Sequence, residues 1–151
     1  MTGMSGTGKS TVLGELERRG YEVVDSDVGG WTIWSDEDGG YVWLQDRITD
    51  LLDRHRDNTI FVAGTVSNQG RFYPWFDAVV LLTAPADVLL RRIENRATND
   101  YGKSAEDRDL ILSHVEDVEP LLRATSTHEI DATKSVDDIV AELIAIGDEG
   151  A

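Results

Sequence analysis

Eight residues near the start of the chain, Gly3-Met4-Ser5-Gly6-Thr7-Gly8-Lys9-Ser10, fit the pattern G-x-x-x-x-G-K-[ST] without a mismatch. Thr11 then leads into a helix-patterned run, Val12-Leu13-Gly14-Glu15-Leu16. Each residue type has a chemical reason to stand there. The glycines let successive backbone N–H groups turn inward as an anion nest, and the N-terminus of the following helix adds positive potential. Lys9 can reach terminal phosphates, the Ser10 hydroxyl can ligate magnesium, and Ser5, Thr7 and Thr11 complete the cradle. Such a loop holds a nucleotide polyphosphate. The plain alternative, a Gly/Ser/Thr-rich tail that matches by chance, is disfavoured by the helix in the right place and the acidic strand end that follows.

That strand end is Tyr21-Glu22-Val23-Val24 running into Asp25-Ser26-Asp27. Two carboxylates spaced two apart both face the phosphate loop where the strand loosens into a turn. One can hold magnesium through water, and the other can orient or deprotonate an acceptor hydroxyl. A solvated turn, common in so acidic a chain, is the plain alternative, and the phosphate loop beside it weighs against that reading. The next strand, Ile60 to Ala63, ends in Gly64 and carries no acid where an ordinary ATPase places its magnesium-binding Asp, which argues against a motor or switch ATPase. Asp27-Val28-Gly29-Gly30 fits the short D-x-x-G pattern of GTPases, but no N-K-x-D follows, so that match is taken as chance.

Arg92 and Arg96 stand one turn apart on a helix face and run into a polar, Gly-containing stretch, as the start of a lid does. Planar guanidinium suits both stacking and the neutralisation of developing charge, and a lid excludes water. Two surface arginines balancing nearby acids are the alternative. Acceptor recognition falls to the run Gly64-Thr65-Val66-Ser67-Asn68-Gln69-Gly70-Arg71. Gly64, Asn68 and Arg71 are the candidates there for gripping a small hydroxylated acceptor with one anionic group, against an ordinary Asn/Gly loop. Trp31 lies just after Asp27 and offers an aromatic wall for a base or sugar face, or plain packing. His55, His114 and His128 share no metal-like spacing.

Composition narrows the class. The chain has 151 residues and no Cys, which excludes disulfide scaffolds, thiolate zinc sites and cysteine nucleophiles. The net charge of -15, with no local basic patch, argues against a nucleic-acid partner. No apolar run approaches the roughly 18 residues of a membrane span, and no basic-then-apolar segment opens the chain. A cytoplasmic protein without a membrane partner, monomeric or homodimeric, is the expectation.

Short apolar runs at Tyr21 to Val24, Ile60 to Ala63, Ala78 to Thr83 and His128 to Ile130 read as strands. Apolar residues at three- and four-residue spacing mark helices at about Lys9 to Arg19, Val42 to Arg56, Ala86 to Arg96, Ala105 to Arg123 and Val136 to Ile146, the last capped by Ser135. Alternating strands and helices predict an α/β fold: a mostly parallel sheet covered on both faces, with its site beyond the carboxyl ends of the strands. Nothing marks a linker, so residues 1–151 are expected to form one domain, with a lid segment at about 96–108.

On Gly3 to Thr11, Asp25-Ser26-Asp27, the segment Leu89 to Arg96 and Asn99-Asp100-Tyr101-Gly102-Lys103, the sequence resembles the P-loop small-molecule kinases of the shikimate kinase, gluconate kinase and nucleoside monophosphate kinase group. The resemblance implies a three-layer α/β/α P-loop fold. In that fold the phosphate loop follows a buried central strand, yet only Met1 and Thr2 precede it here. The expectation is therefore a sheet lacking that first strand, through a late-assigned start or a shortened chain. By resemblance Ser10 and Asp25 hold magnesium, Asp27 binds the acceptor hydroxyl, Arg92 lies against adenine and Arg96 reaches phosphate. Lys9, Asp27 and Arg96 are then the catalytic candidates, with ATP and Mg2+ as cofactors. Residues 132–134 would loop around the adenine through their backbone. The implied function is transfer of the γ-phosphoryl group to a small-molecule hydroxyl. The alternatives are a nucleoside monophosphate kinase and a non-catalytic ATP-binding regulatory module.

Overall fold

The computed structural model describes residues 1–95 and 104–149. The chain opens on a tight loop into helix α1 (Lys9–Arg18) and then strand β1 (Glu22–Asp25). A hairpin of β2 (Thr32–Ser35) and β3 (Gly40–Trp43) leads to α2 (Gln45–Arg54) and β4 (Ile60–Ala63). A 3-10 segment at Gln69–Trp75 precedes β5 (Val80–Thr83) and α3 (Ala86–Asn95). The remainder is α4 (Ala105–Asp117), α5 (Glu119–Thr125), β6 (His128–Asp131) and α6 (Val136–Glu149).

Strand β1 pairs in parallel with β4, Asp25 opposite Ala63, and β5 pairs in parallel with β6, Thr83 opposite Asp131. Met1 and Thr2 lie between the two pairs. The Met1 amino nitrogen donates to Val62 O at 2.7 Å, and its carbonyl accepts from Gly64 N at 3.2 Å. On the other side Thr2 N donates to Val80 O at 2.8 Å and Leu82 N donates to Thr2 O at 2.9 Å, closing a parallel bridge between Thr2 and Leu81. The sheet thus runs β1, β4, Met1-Thr2, β5, β6, all parallel. The central line, expected empty, is held at its carboxyl end by these two residues. Behind them it continues as a groove of about 570 Å³ lined by Ile60, Val62, Ala78, Val80, Leu143 and Ile146 among others.

Alternation along β4 sends Phe61 and Ala63 to one face of the sheet and Val62 to the other. Phe61 and Ala63 join the larger core with Val12, Leu13 and Leu16 of α1 and Ile139, Val140 and Leu143 of α6. Val62 joins a second cluster with Trp43, Ile48, Leu51 and Phe72. Helices therefore cover both faces, as an all-parallel sheet requires. Among the described residues, no helix is long and apolar enough to cross a membrane.

The local differences from the expected elements have identifiable causes. The helix expected from Val42 starts at Gln45 because β-branched and aromatic residues on either side of Asp36-Glu37-Asp38-Gly39 form the hairpin, with Trp34 opposite Tyr41. Gly39 supplies the left-handed residue of its turn at φ 69°, and Ser35 Oγ accepts from Asp38 N at 3.2 Å. The helix expected over Ala105 to Arg123 divides at Val118 because Pro120 has no N–H to continue it and is tolerated only in the first turn of a new helix, α5. Ser135 caps α6 as expected, its Oγ accepting from Asp138 N at 3.1 Å.

Leu81 is wholly buried in the middle of the sheet, whereas Leu121 on α5 is exposed. Leu81→Ala should lower the unfolding free energy by roughly 2–5 kcal/mol. Leu121→Ala should change it by less than about 0.5 kcal/mol. Urea unfolding of the two variants measures both.

Candidate active site

Because every pairing in the sheet is parallel, Thr2, Asp25, Ala63, Thr83 and Asp131 all end on one edge, and the phosphate loop leaves from its centre. Gly6 and Gly8 take φ values of 87° and 91°, which turn the loop into the start of α1. A Cβ at Gly6 would lie 2.8 Å from Leu89 O and against Ile93, so α3 packs directly on the loop. The Thr7 hydroxyl is buried and donates to Met4 O at 2.9 Å, bracing the loop from inside. Lys9 Nζ folds back to donate to Gly3 O at 2.7 Å and Met4 O at 3.1 Å. Withdrawal from water lowers its pKa to about 8, against the pull of Asp27 and then Asp25.

The acidic turn meets the loop directly. Ser10 Oγ donates to Asp25 Oδ2 at 2.7 Å, and the other oxygen of Asp25 accepts from Asp27 N at 3.1 Å. Ser26, between the acids, points inward and is fully buried, its Oγ donating to Ala63 O at 2.7 Å. That inward residue turns both carboxylates toward the loop mouth. Asp27 stands at the rim with its carboxyl above the usual carboxylate range, chiefly because surrounding protein displaces water, with Asp25 adding repulsion and Lys9 opposing it. Gly64 allows this turn to close: a Cβ there would stand 2.1 Å from Ser26 Oγ and 3.3 Å from Trp43.

Arg92 reaches back from α3, donating through one nitrogen to Ala132 O at 2.7 Å and through the other toward Gly6 O and Thr7 O, both at 3.4 Å. It joins the phosphate loop to the turn after β6. Beside it lies a groove of about 510 Å³ lined by Val88, Arg91, Arg92, Asn95 and Thr133. Arg96 and Asn99 to Lys103 lie outside the described residues, as does the expected lid apart from 104–108. Arg108 pairs with Glu94 at 3.1 Å.

Across the acidic turn, the Asn68 amide spans the backbone of Trp43, accepting from its N–H at 2.8 Å and donating to its C=O at 3.1 Å. Trp31 carries the Arg47 guanidinium 4.1 Å above its ring, and Arg47 also donates to Gly29 O at 2.8 Å and Gly30 O at 2.6 Å. Arg71 is exposed at the start of the 3-10 segment and forms no ion pair among the described residues. Sequence reasoning passed over Arg47 and Thr65. Arg47 sits on α2 and reaches the Gly29-Gly30 turn only because the unexpected hairpin folds back, so no spacing signal marked it.

The fold and loop define a phosphate-loop α/β protein. The sequence model of the AAA domain family matches residues 1–113, and the chain belongs to that family. In fold it is similar to shikimate kinase from Acinetobacter baumannii in complex with shikimate, with a TM-score of 0.64 and 20% identity over 96% of this chain and 89% of that one. It is also similar to a gluconokinase from Sinorhizobium meliloti 1021, with a TM-score of 0.60 and 18% identity over 98% of this chain and 89% of that one. Shikimate kinase from Bacteroides thetaiotaomicron matches with a TM-score of 0.56 and 16% identity over 96% and 94% of the two chains. These structures carry the names of the group that the sequence resembles. No curated protein sequence matches the chain.

Gly64→Ala forces Ser26 off Ala63 O and leaves a buried hydroxyl without its acceptor. The variant should lose roughly 1–3 kcal/mol of stability, and the amide resonances of Asp25 to Asp27 should shift. Unchanged stability and resonances would show that the turn does not need this close approach.

Proposed function

We propose that the chain is a magnesium-ATP-dependent phosphotransferase that moves the γ-phosphoryl group to a hydroxyl of a small molecule. The observation that carries this reading is the joined contact of Ser10 Oγ with Asp25 and of Asp25 with Asp27 N, which ties the acidic turn to the phosphate loop. The likeness in fold to shikimate kinase and gluconokinase supports it.

Ser10 and Asp25 offer two hard oxygens in contact, a donor set that suits Mg2+ with water and phosphate filling its other positions. Bound there, the ion would supply charge neutralisation on the phosphates. The loop amides and Lys9 hold the phosphates. Arg92 closes the nucleotide side, beside the groove toward Thr133. Asp27 orients the acceptor hydroxyl and accepts its proton as the new P–O bond forms and the bond to ADP breaks, and its raised pKa suits that exchange. Arg96 neutralises charge at the transferred group. Trp31, Gly64, Asn68 and Arg71 shape the acceptor side, Asn68 through the hairpin it pins and Arg71 as a cation for an anionic acceptor. Residues 1–151 act as one domain, with a lid at about 96–108.

ADP release from magnesium-ATP is measured against shikimate-like acids, sugar acids, nucleosides and nucleoside monophosphates. One acceptor class should stimulate it, and Asp27→Asn should cut that turnover by about 100-fold or more while nucleotide affinity changes little. Preference for a nucleoside monophosphate would move the reading to a nucleotide kinase. Nucleotide binding with no stimulation by any class would move it to a regulatory module.

Lys9 must keep its proton to meet phosphate oxygens. As pH rises through about 8 the free site loses that charge, so affinity for ATP should be level below that value and fall above it. Titration of a fluorescent ATP analogue from pH 6 to 9.5 tests this, with Lys9→Met expected to bind weakly and evenly across the range.

A further inference from the structure

A buried polar seam between the acceptor loop and the phosphate loop is used by none of the proposed chemistry. Thr65 Oγ1 donates to Gly3 O at 2.9 Å and accepts from Gly3 N at 3.3 Å, so one hydroxyl holds both polar groups of that residue. Its single proton is thereby committed. The Thr2 hydroxyl, 3.0 Å away, must then be the donor between the two threonines, which leaves Thr2 Oγ1 free to accept from Gln69 Nε2 at 3.2 Å. Gln69 Nε2 also donates to the Tyr73 hydroxyl at 2.7 Å, and Gln69 Oε1 accepts from Val66 N at 2.8 Å. The opposite orientation of the amide would leave Val66 N–H facing another donor. Thr2 and Gln69 are buried, at 3% and 5% exposure.

We propose that Thr65, held in place through Thr2 and Gln69, is a positioning residue that fixes the first turn of the phosphate loop to the acceptor loop. The inference rests on reading Gly3 to Ser10 as a phosphate cradle. Gly3 O has two hydrogen-bond donors, Thr65 Oγ1 and Lys9 Nζ at 2.7 Å. When Lys9 turns toward a phosphate, Gly3 O keeps only Thr65, and the hydroxyl holds the loop's first peptide unit in place while the lysine moves. Gly3 cannot answer by rotating freely, because a Cβ at that position would already lie 2.6 Å from Leu82 O, so the backbone is boxed in on its other side. The same hydroxyl makes the position of the acceptor loop felt at the cradle, and by linkage nucleotide and acceptor must influence each other equally in binding.

Thr65→Val keeps the shape and removes the hydroxyl, whereas Thr65→Ser keeps the hydroxyl. In nucleotide-free protein, Thr65→Val should shift the amide resonances of Gly3, Ser5 and Gly6 and speed exchange of the Gly3 amide about 10-fold or more, and Thr65→Ser should restore both. Affinity for a fluorescent ATP analogue with magnesium should fall about 10-fold in Thr65→Val and recover in Thr65→Ser. Loop amides in Thr65→Val that match wild type would overturn the proposal. A loss that Thr65→Ser fails to rescue would overturn it as well. Should Thr65→Val not fold, Gln69→Leu takes its place, and an unmoved Gly3 amide there counts against the proposal equally. The amide comparison needs no nucleotide. Failure of wild type to bind the analogue would therefore defeat the phosphotransferase reading, while the resonances still decide the role of Thr65.

Discussion

The site depends on an ammonium kept partly out of water. Lys9 folds across the mouth of its own loop onto Gly3 O and Met4 O, and burial lowers its pKa to about 8. A cation so placed is tolerated because two carbonyls and two nearby carboxylates face it, yet none of these holds it as tightly as a bidentate partner would. The result is a charge that a phosphate can draw away from its resting contacts. The parallel sheet serves this placement by delivering Gly3 to its central line, between strand ends that bring Asp25 on one side and Thr83 on the other.

The acidic turn shows how one buried residue sorts the two acids beside it. Ser26 spends its hydroxyl on Ala63 O inside the molecule, and the alternation of a strand end sends Asp25 and Asp27 outward together. Gly64 is required just past the neighbouring strand because Ser26 occupies the space where a Cβ would stand. The two acids nonetheless differ. Asp25 is engaged by Ser10 and by the backbone of Asp27, while the carboxyl of Asp27 is held above the usual carboxylate range chiefly by the protein that displaces water around it.

The phosphate loop, the acidic strand end and the parallel strands were legible in the sequence because each rests on a local signal: a fixed glycine spacing, a carboxylate pair after an apolar run, and blocks of β-branched residues. The acceptor side was not. Its shape comes from the hairpin of Thr32–Ser35 and Gly40–Trp43, whose last residues Val42 and Trp43 also fit the helical spacing that continues to Arg56 until the Asp36 to Gly39 turn is weighed. Arg47 over Trp31 and Asn68 against Trp43 are contacts between segments that no periodicity connects. The break before Pro120 was readable in principle, since a proline without an N–H marks a helix start at least as well as apolar spacing marks its continuation.

The hairpin limits what the proposed acceptor side can be. Asn68 has both ends of its amide on the Trp43 backbone and is buried, so its first task is to pin the hairpin. Ser67 N is likewise committed to Tyr41 O at 2.9 Å. The groups around this turn that remain outside these hairpin contacts are Arg71, Asp27 and the Arg47-Trp31 pair, the last tied to the Gly29 and Gly30 carbonyls just after the acidic turn. These groups combine one available cation, one carboxylate and one aromatic face. On the proposed phosphotransferase reading, an acceptor that suits them would carry a hydroxyl for Asp27 and an anionic group for Arg71.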